Sequence, residues 1–220
     1  FYRIIKMEAV GFSFDNCRRN ERLISNEKFK SNLPIPKKTG TTIAGVLFKE
    51  GVIIGADTRS TMGTIVAEKN CLKVHYLTDN IFACGAGTSA DLLKVTDMVS
   101  QNLKLIELNT GRKVRVVTAV TIVKQYLFRY QGHIGAYLII GGVDLSGPNL
   151  YSVSNRGHTD RLPFVTNGSG CLASMSFFES NYREDFDLET AKEFVARGIA
   201  AGVMNDLGSG SNVDLCVITK

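Results

Sequence analysis

The stretch Lys38-Thr39-Gly40-Thr41-Thr42 stops a polar, basic lead-in at a glycine, and Ile43-Ala44-Gly45-Val46-Leu47-Phe48 follows as an apolar run with strand character. A threonine hydroxyl is a poor nucleophile unless a base lies beside it. Cutting the Gly40–Thr41 bond would supply one, because Thr41 would then carry a free α-amine close to its own Oγ. Such an amine titrates near neutral pH. Gly40 suits that cut, since a residue without Cβ tolerates the contorted backbone in which the hydroxyl reaches the preceding carbonyl. The same five residues also read as an ordinary Gly-Thr turn before a strand.

Further polar residues fall at the ends of apolar runs. Asp57 closes Val52-Ile53-Ile54-Gly55-Ala56, and Lys73 lies on the strand face opposite Leu72, Val74 and Tyr76. Gly85-Ala86-Gly87 carries a bare backbone into a predicted helix N-terminus, where free N–H groups can bind an oxyanion. Asp206-Leu207-Gly208-Ser209-Gly210 is a polar turn before the last apolar run. Each has a plain structural reading: a turn cap, a solvated strand lysine that adds little packing, a helix entry. Together they describe an acyl-transfer site with nucleophile, charged organisers and oxyanion donors.

The elements that must position these groups follow from periodicity. Apolar, β-branched runs at residues 43–49 and 52–56, joined by Glu50-Gly51, predict a hairpin. Alternation over residues 71–76 predicts a strand with two unlike faces, and Ile81-Phe82-Ala83-Cys84 another. Thr88-Ser89-Ala90-Asp91 resembles a capping box. The helix behind it carries Leu92, Val95, Val99, Leu103 and Ile106, and Asn109-Thr110-Gly111 ends it. A second helix bears Val116, Val120, Val123, Leu127 and Tyr130, stopped by Gln131-Gly132. Strands at 136–140 and 150–153 follow, with turns at Gly141-Gly142 and Ser146-Gly147-Pro148. Two more helices, at about 171–182 and 188–204, the second capped by Asp187, precede a last strand at 213–218. Strands, paired helices, strands, paired helices and a strand predict two antiparallel sheets stacked between helices.

Composition narrows the classes. The net charge of +5 suggests nucleic acid until it is located: residues 1–40 hold nine Lys/Arg against four acids, and residues 41–220 hold seventeen of each sign. A nucleic-acid footprint needs basic residues clustered on the folded body. The excess instead marks residues 1–40 as a removable leader, with Gly11-Phe12-Ser13-Phe14-Asp15-Asn16 as an anchor and Pro34-Ile35-Pro36 as an extended linker. No apolar run approaches the ~18 residues of a membrane span, and the first residues are too charged for a signal peptide. Five cysteines without a C-x-x-C pair, and three scattered histidines, predict reduced thiols and neither a disulfide framework nor a metal site.

Thr41-Thr42-Ile43-Ala44-Gly45-Val46, Gly55-Ala56-Asp57-Thr58-Arg59, Lys69-Asn70-Cys71-Leu72-Lys73-Val74-His75, Cys84-Gly85-Ala86-Gly87-Thr88, Phe128-Arg129-Tyr130-Gln131-Gly132, Gly141-Gly142-Val143-Asp144 and residues 205–212 resemble the catalytic beta subunits of the eukaryotic proteasome core particle. The details, including the leader from Gly11 to Asn20, are most similar to the trypsin-like type, and the resemblance runs from about Val10 to Lys220.

The resemblance implies an α+β fold, the four-layer αββα sandwich of N-terminal-nucleophile hydrolases. It implies a propeptide at 1–40 removed autocatalytically at Gly40–Thr41, a hydrolase domain at 41–220, and no cofactor or metal. Thr41 would be the nucleophile, Lys73 and Asp57 its charged pair, Ser169, Asp206 and Ser209 the holders of the N-terminus, and Gly87 the oxyanion donor. Ser60, Thr61, Met62, Gly85, Ser89 and Leu93 would form the specificity pocket, with Gly85 leaving its mouth open. Met62 and Leu93 stand where this type carries acids, so weaker preference for Arg and Lys and more tolerance of large apolar residues is expected. Asp91, two residues from Leu93 on a helix, should point elsewhere. Implied partners are other alpha and beta subunits in stacked heptameric rings, assembly chaperones and unfolded polypeptide, with neither nucleic acid nor membrane, in cytoplasm and nucleus. This type continues past its last strand as an arm clasping a neighbour; the sequence considered ends at Lys220.

Two alternatives share many of these features. A non-catalytic scaffold subunit of the same ring would not react with a threonine-directed inhibitor. A free-standing N-terminal-nucleophile amidohydrolase would be active as a small oligomer. A pure binding module lacks the exposed aromatic–basic patch it would need.

Overall fold

The computed structural model describes residues 39–219 together with Arg18, Arg19, Glu21 and Arg22. The leader anchor and the Pro34-Ile35-Pro36 linker lie outside the described residues. The chain divides into two units, Phe1–Pro36 and Lys37–Lys220, and the second holds every element below.

Residues 43–48 and 52–56 are apolar almost without interruption because both of their faces are buried, and alternate side chains serve different layers. They form β1 (Thr42–Phe48) and β2 (Gly51–Asp57), paired antiparallel with Ile43 opposite Ala56. With β10 (Phe164–Gly168) and β11 (Val213–Thr219) they build a four-stranded sheet in the order β10-β1-β2-β11. β5 (Val74–Thr78), β6 (Ile81–Gly87), β7 (Ala136–Asp144), β8 (Gly147–Val153) and β9 (Thr159–Arg161) form a second, five-stranded sheet in chain order. β3 (Ser60–Met62) and β4 (Ile65–Glu68) make a separate hairpin.

Ile43, Val52, Ile54 and Ala56 meet Cys84, Ala86, Ile139 and Leu150 between the two sheets. The other face of β1 and β2, with Ala44, Val46, Phe48 and Ile53, packs on Phe178, Phe194, Val195 and Ile199. Those residues come from α3 (Cys171–Asn181) and α4 (Leu188–Asn205). On the opposite side, α1 (Ser89–Thr110) and α2 (Val116–Arg129) cover the five-stranded sheet through Leu92, Val95, Val99, Leu103, Val123 and Leu127. The layers therefore run helices, sheet, sheet, helices, as the resemblance implied.

Boundaries departed from expectation in four places. Gly141-Gly142 is no turn; β7 runs through it. A Cβ on Gly141 would lie 2.9 Å from side-chain carbons of Ile54 and Val52, and one on Gly142 2.6 Å from Asn80 O. These glycines allow close approach of neighbouring layers rather than chain reversal. The capping box is also absent: Thr88 is the N-cap of α1 without a side-chain bond, and Asp91 accepts from Gly135 N at 2.8 Å. The alternation at 71–76 marks no apolar inner face. Leu72 and Tyr76 are 69% and 55% exposed, whereas Lys73 is 7% exposed, and β5 begins only at Val74. Finally, the short strands β3, β4, β9 and β10 had no periodic signal long enough to predict them. Among the described residues no helix is long and apolar enough to cross a membrane.

Candidate active site

Antiparallel pairing brings four strand ends together. Thr41 precedes β1, Asp57 ends β2, Ser169 follows β10 and Ser209 precedes β11, with Thr42 opposite Gly168 and Val213 opposite Asp57. From the second sheet, Lys73 arrives just before β5, and Gly87 ends β6. Gly85 N donates to Lys73 O at 3.1 Å and ties the two together.

Asp57 is fully buried. Its Oδ1 accepts from Thr42 N at 2.9 Å and from Lys73 Nζ at 2.8 Å, and its Oδ2 from Gly210 N at 3.0 Å and Arg59 N at 3.2 Å. A carboxylate this saturated is a fixed anchor, and charge-assisted bonds of this kind are the strong ones. The anchor aims the lysine: Lys73 Nζ donates to Thr41 Oγ at 3.1 Å and reaches Gly40 O at 3.5 Å. Thr41 Oγ in turn donates to Gly40 O at 2.6 Å. The hydroxyl thus touches both an ammonium and the carbonyl group it would attack.

A second network holds the backbone. Thr41 N donates to Ser169 Oγ at 2.9 Å, and Ser169 Oγ donates to Asp206 Oδ2 at 2.6 Å. Ser209 Oγ also donates to Asp206 Oδ2, at 2.7 Å, and lies 2.8 Å from Thr42 Oγ. Burial alone would raise the Asp206 carboxyl, but hydrogen bonds from Ser169, Ser209 and Gly208 N–H, with the Lys73 ammonium nearby, hold it below its ordinary value. A depressed carboxyl stabilises above its unfolded pKa, ~3.9 for Asp, and that contribution disappears as pH falls through the folded value. Acid inactivation of the wild type should therefore be shallower in Asp206→Asn, which starts less active at neutral pH; matching acid limbs in the two pH–activity profiles would refute this.

Gly40 is required by a close approach rather than by an unusual backbone angle. A Cβ built there would fall on Gly208 Cα, and one on Gly208 would fall on Gly40 Cα. Gly40→Ala should therefore displace the carbonyl from Thr41 Oγ and leave the leader uncut, which intact mass of the chain would reveal. Clean cleavage of Gly40→Ala would show that the contact does not position the bond.

Gly87 adopts φ +127°, where a Cβ would strike Gly135 O. That carbonyl accepts from Thr88 N at 2.8 Å, and Asp91 Oδ2 holds Gly135 N. Asp91 thus braces the turn behind Gly87. Its role here was missed because the capping-box pattern explained it locally. The side chain of Thr42 was missed too, hidden as an ordinary strand residue.

Thr41 lies between two hollows. One, of about 170 Å³, is lined by Ser60, Gly85, Ser89 and Leu93 among others. The other, of about 310 Å³, adjoins Tyr137, Asn167 and Ser169. Thr39, Thr41 and Gly87 border both. Of the remaining pocket residues expected from sequence, Thr61 accepts weakly from Gly40 N at 3.4 Å, and Met62, half exposed on β3, lies outside the lining. Burial pushes up the thiols of Cys84, in the core, and of the partly buried Cys216, which disfavours the reactive thiolate at both. Among the described residues no cluster of His, Cys, Asp and Glu could hold a metal ion.

A family model described as proteasome subunit matches residues 37–218. The chain is 56% identical over 210 residues to proteasome subunit beta type-7-B of Arabidopsis thaliana, covering 96% of this chain and 76% of the relative. It is 52% identical to the probable proteasome subunit beta type-2 of Schizosaccharomyces pombe, covering 97% and 79%. To proteasome subunit beta type-10 of Mus musculus it is 49% identical, covering 95% and 76%. The chain belongs to the proteasome subunit family, among its beta-type members.

Proposed function

We propose that this beta-type subunit is a threonine endopeptidase made as a precursor, with residues 1–40 as the leader and Thr41 as nucleophile. The observation that carries the reading is the placement of Thr41 Oγ, 3.1 Å from Lys73 Nζ and 2.6 Å from Gly40 O. In the first cycle the substrate is the chain's own Gly40 carbonyl. Oγ adds to its carbon, the Gly40–Thr41 C–N bond breaks, and the Oγ proton ends on the departing Thr41 nitrogen. Water then hydrolyses the ester and releases the leader with a carboxylate at Gly40.

The freed amine takes the Oγ proton in later cycles and passes it to the leaving amine of a substrate. The Lys73 ammonium disfavours protonation of that amine, which keeps it a base near neutral pH. Gly87 N–H serves as the oxyanion donor, while Ser169, Asp206 and Ser209 hold the new N-terminus. The subunit works in stacked rings with other alpha and beta subunits, assembled with chaperones, on unfolded polypeptide in cytoplasm and nucleus.

Intact mass of the chain from purified particles, before and after a threonine-directed covalent inhibitor, tests this. The expected chain starts at Thr41 and gains one inhibitor. A chain that keeps its leader and takes no adduct is a scaffold subunit, and activity confined to a small oligomer would favour a free-standing amidohydrolase.

A further inference from the structure

The two hollows beside Thr41 are chemically distinct, and proton transfer decides which part of a substrate each receives. A leaving amine must be protonated from Thr41 N, which bonds Ser169 Oγ at 2.9 Å, and Ser169 lines the hollow beside Tyr137. The departing side of the substrate therefore lies there. The residue whose carbonyl is attacked enters the opposite hollow, between β5, β6 and the start of α1.

No carboxylate lines that second hollow; its charged lining groups are the cations Arg59 and Lys73. Asp57 is turned away and saturated by its four donors, and Asp91 is engaged with Gly135 N. Arg59 gives Nη1 to Leu207 O at 3.1 Å, and its Nε is buried without an acceptor among the described residues. A further cation brought into this space would find no unengaged carboxylate in the lining to pair with, which is costly where binding desolvates it. Burial lowers His75, with Asp97 opposing, which disfavours a charge on its ring.

Two leucines set the floor. A Cβ on Gly85 would lie 2.7 Å from Leu92 Cδ2, so the space left by this glycine is occupied by Leu92 and is not an open mouth. Leu93, 51% exposed, presents its side chain at the wall.

We infer that this hollow selects neutral, apolar side chains and excludes Arg and Lys, with Leu92 and Leu93 as the specificity-determining residues. The inference rests on Thr41 being the nucleophile. The test uses assembled particles in which this chain carries the sole unblocked threonine, and measures kcat/KM for reporter peptides ending in Leu and in Arg. The Leu reporter should win by about tenfold or more, and Leu93→Asp should raise turnover of the Arg reporter by about fivefold, the scale of a partly exposed ion pair. Preference for Arg in the unmutated particle overturns the inference, including by an acid reaching in from an adjoining subunit. So does an Arg-to-Leu ratio that Leu93→Asp leaves unchanged. A chain that starts at Thr41 yet cleaves neither reporter also overturns it, whereas a chain that retains its leader overturns the assignment of the nucleophile instead.

Discussion

Thr41→Ala should abolish peptide cleavage by this subunit and leave residues 1–40 attached in the assembled particle. Both losses have one origin. The substitution removes the oxygen that is to attack Gly40, together with its contacts to Lys73 Nζ and Gly40 O. Removing a hydroxyl nucleophile that works as a unit with its base costs about 10⁶ in kcat. The fold should survive, because Thr41 N still donates to Ser169 and β1 begins only at Thr42. Mass spectrometry of the chain, with the nucleophiles of neighbouring subunits blocked, gives the answer: a leader cleanly removed from Thr41→Ala would rule out self-cleavage.

Lys73→Met should cost both rate and stability. The sequence pattern suggested a lysine on a polar face that could be lost without harm to the domain, but the ammonium is buried against a fully buried Asp57 at 2.8 Å. Breaking one side of such a pair costs about 3–5 kcal/mol, toward the low end here because three backbone N–H groups still hold the carboxylate. Loss of the charge at Thr41 Oγ should add about 2.7–4 kcal/mol to the barrier, the scale of a lost electrostatic stabiliser. The two effects separate in Lys73→Met combined with Asp57→Asn. Relieving the stranded anion should recover part of the particle's resistance to thermal inactivation and none of its turnover. Full turnover in Lys73→Met alone would reduce the lysine to a structural role.

The parts of this design visible in the sequence are those written in short-range grammar. β1 and β2 announced themselves as apolar runs around Glu50, and α1 as a stripe from Leu92 to Ile106 ended by Gly111, which is left-handed at φ +63°. The layer order followed from alternating paired helices and strands. Polar residues at strand ends suggested Asp57, Lys73 and the 206–210 turn, but nothing local placed Ser169 with them; only resemblance did. The Thr41–Ser169 bond spans 128 positions, and such a contact exists only once β10 pairs with β1. Period-two alternation marks two faces without saying which is inside. At 71–76 the buried ion pair drew Lys73 inward, and Leu72 and Tyr76 were left outside. The glycines of β7 were misread for a related reason: contact between layers and reversal of the chain demand the same residue.

The reciprocal contact between Gly40 and Gly208 has an evolutionary consequence. While the leader is attached, a side chain at either position would occupy the other's backbone. Under the proposed cleavage at Thr41, Gly40 would depart, and the nearest remaining neighbour of a Cβ on Gly208 would be Asp206 Oδ1 at 3.5 Å, an ordinary contact. Selection on Gly208 would then act almost entirely through a segment that the working enzyme no longer carries. The two positions should also be epistatic in precursors, with the double alanine variant costing less than the sum of the single ones. Supplied with its leader already cut, the same domain should tolerate alanine at 208, and on that outcome this glycine would record the history of the molecule more than its daily task.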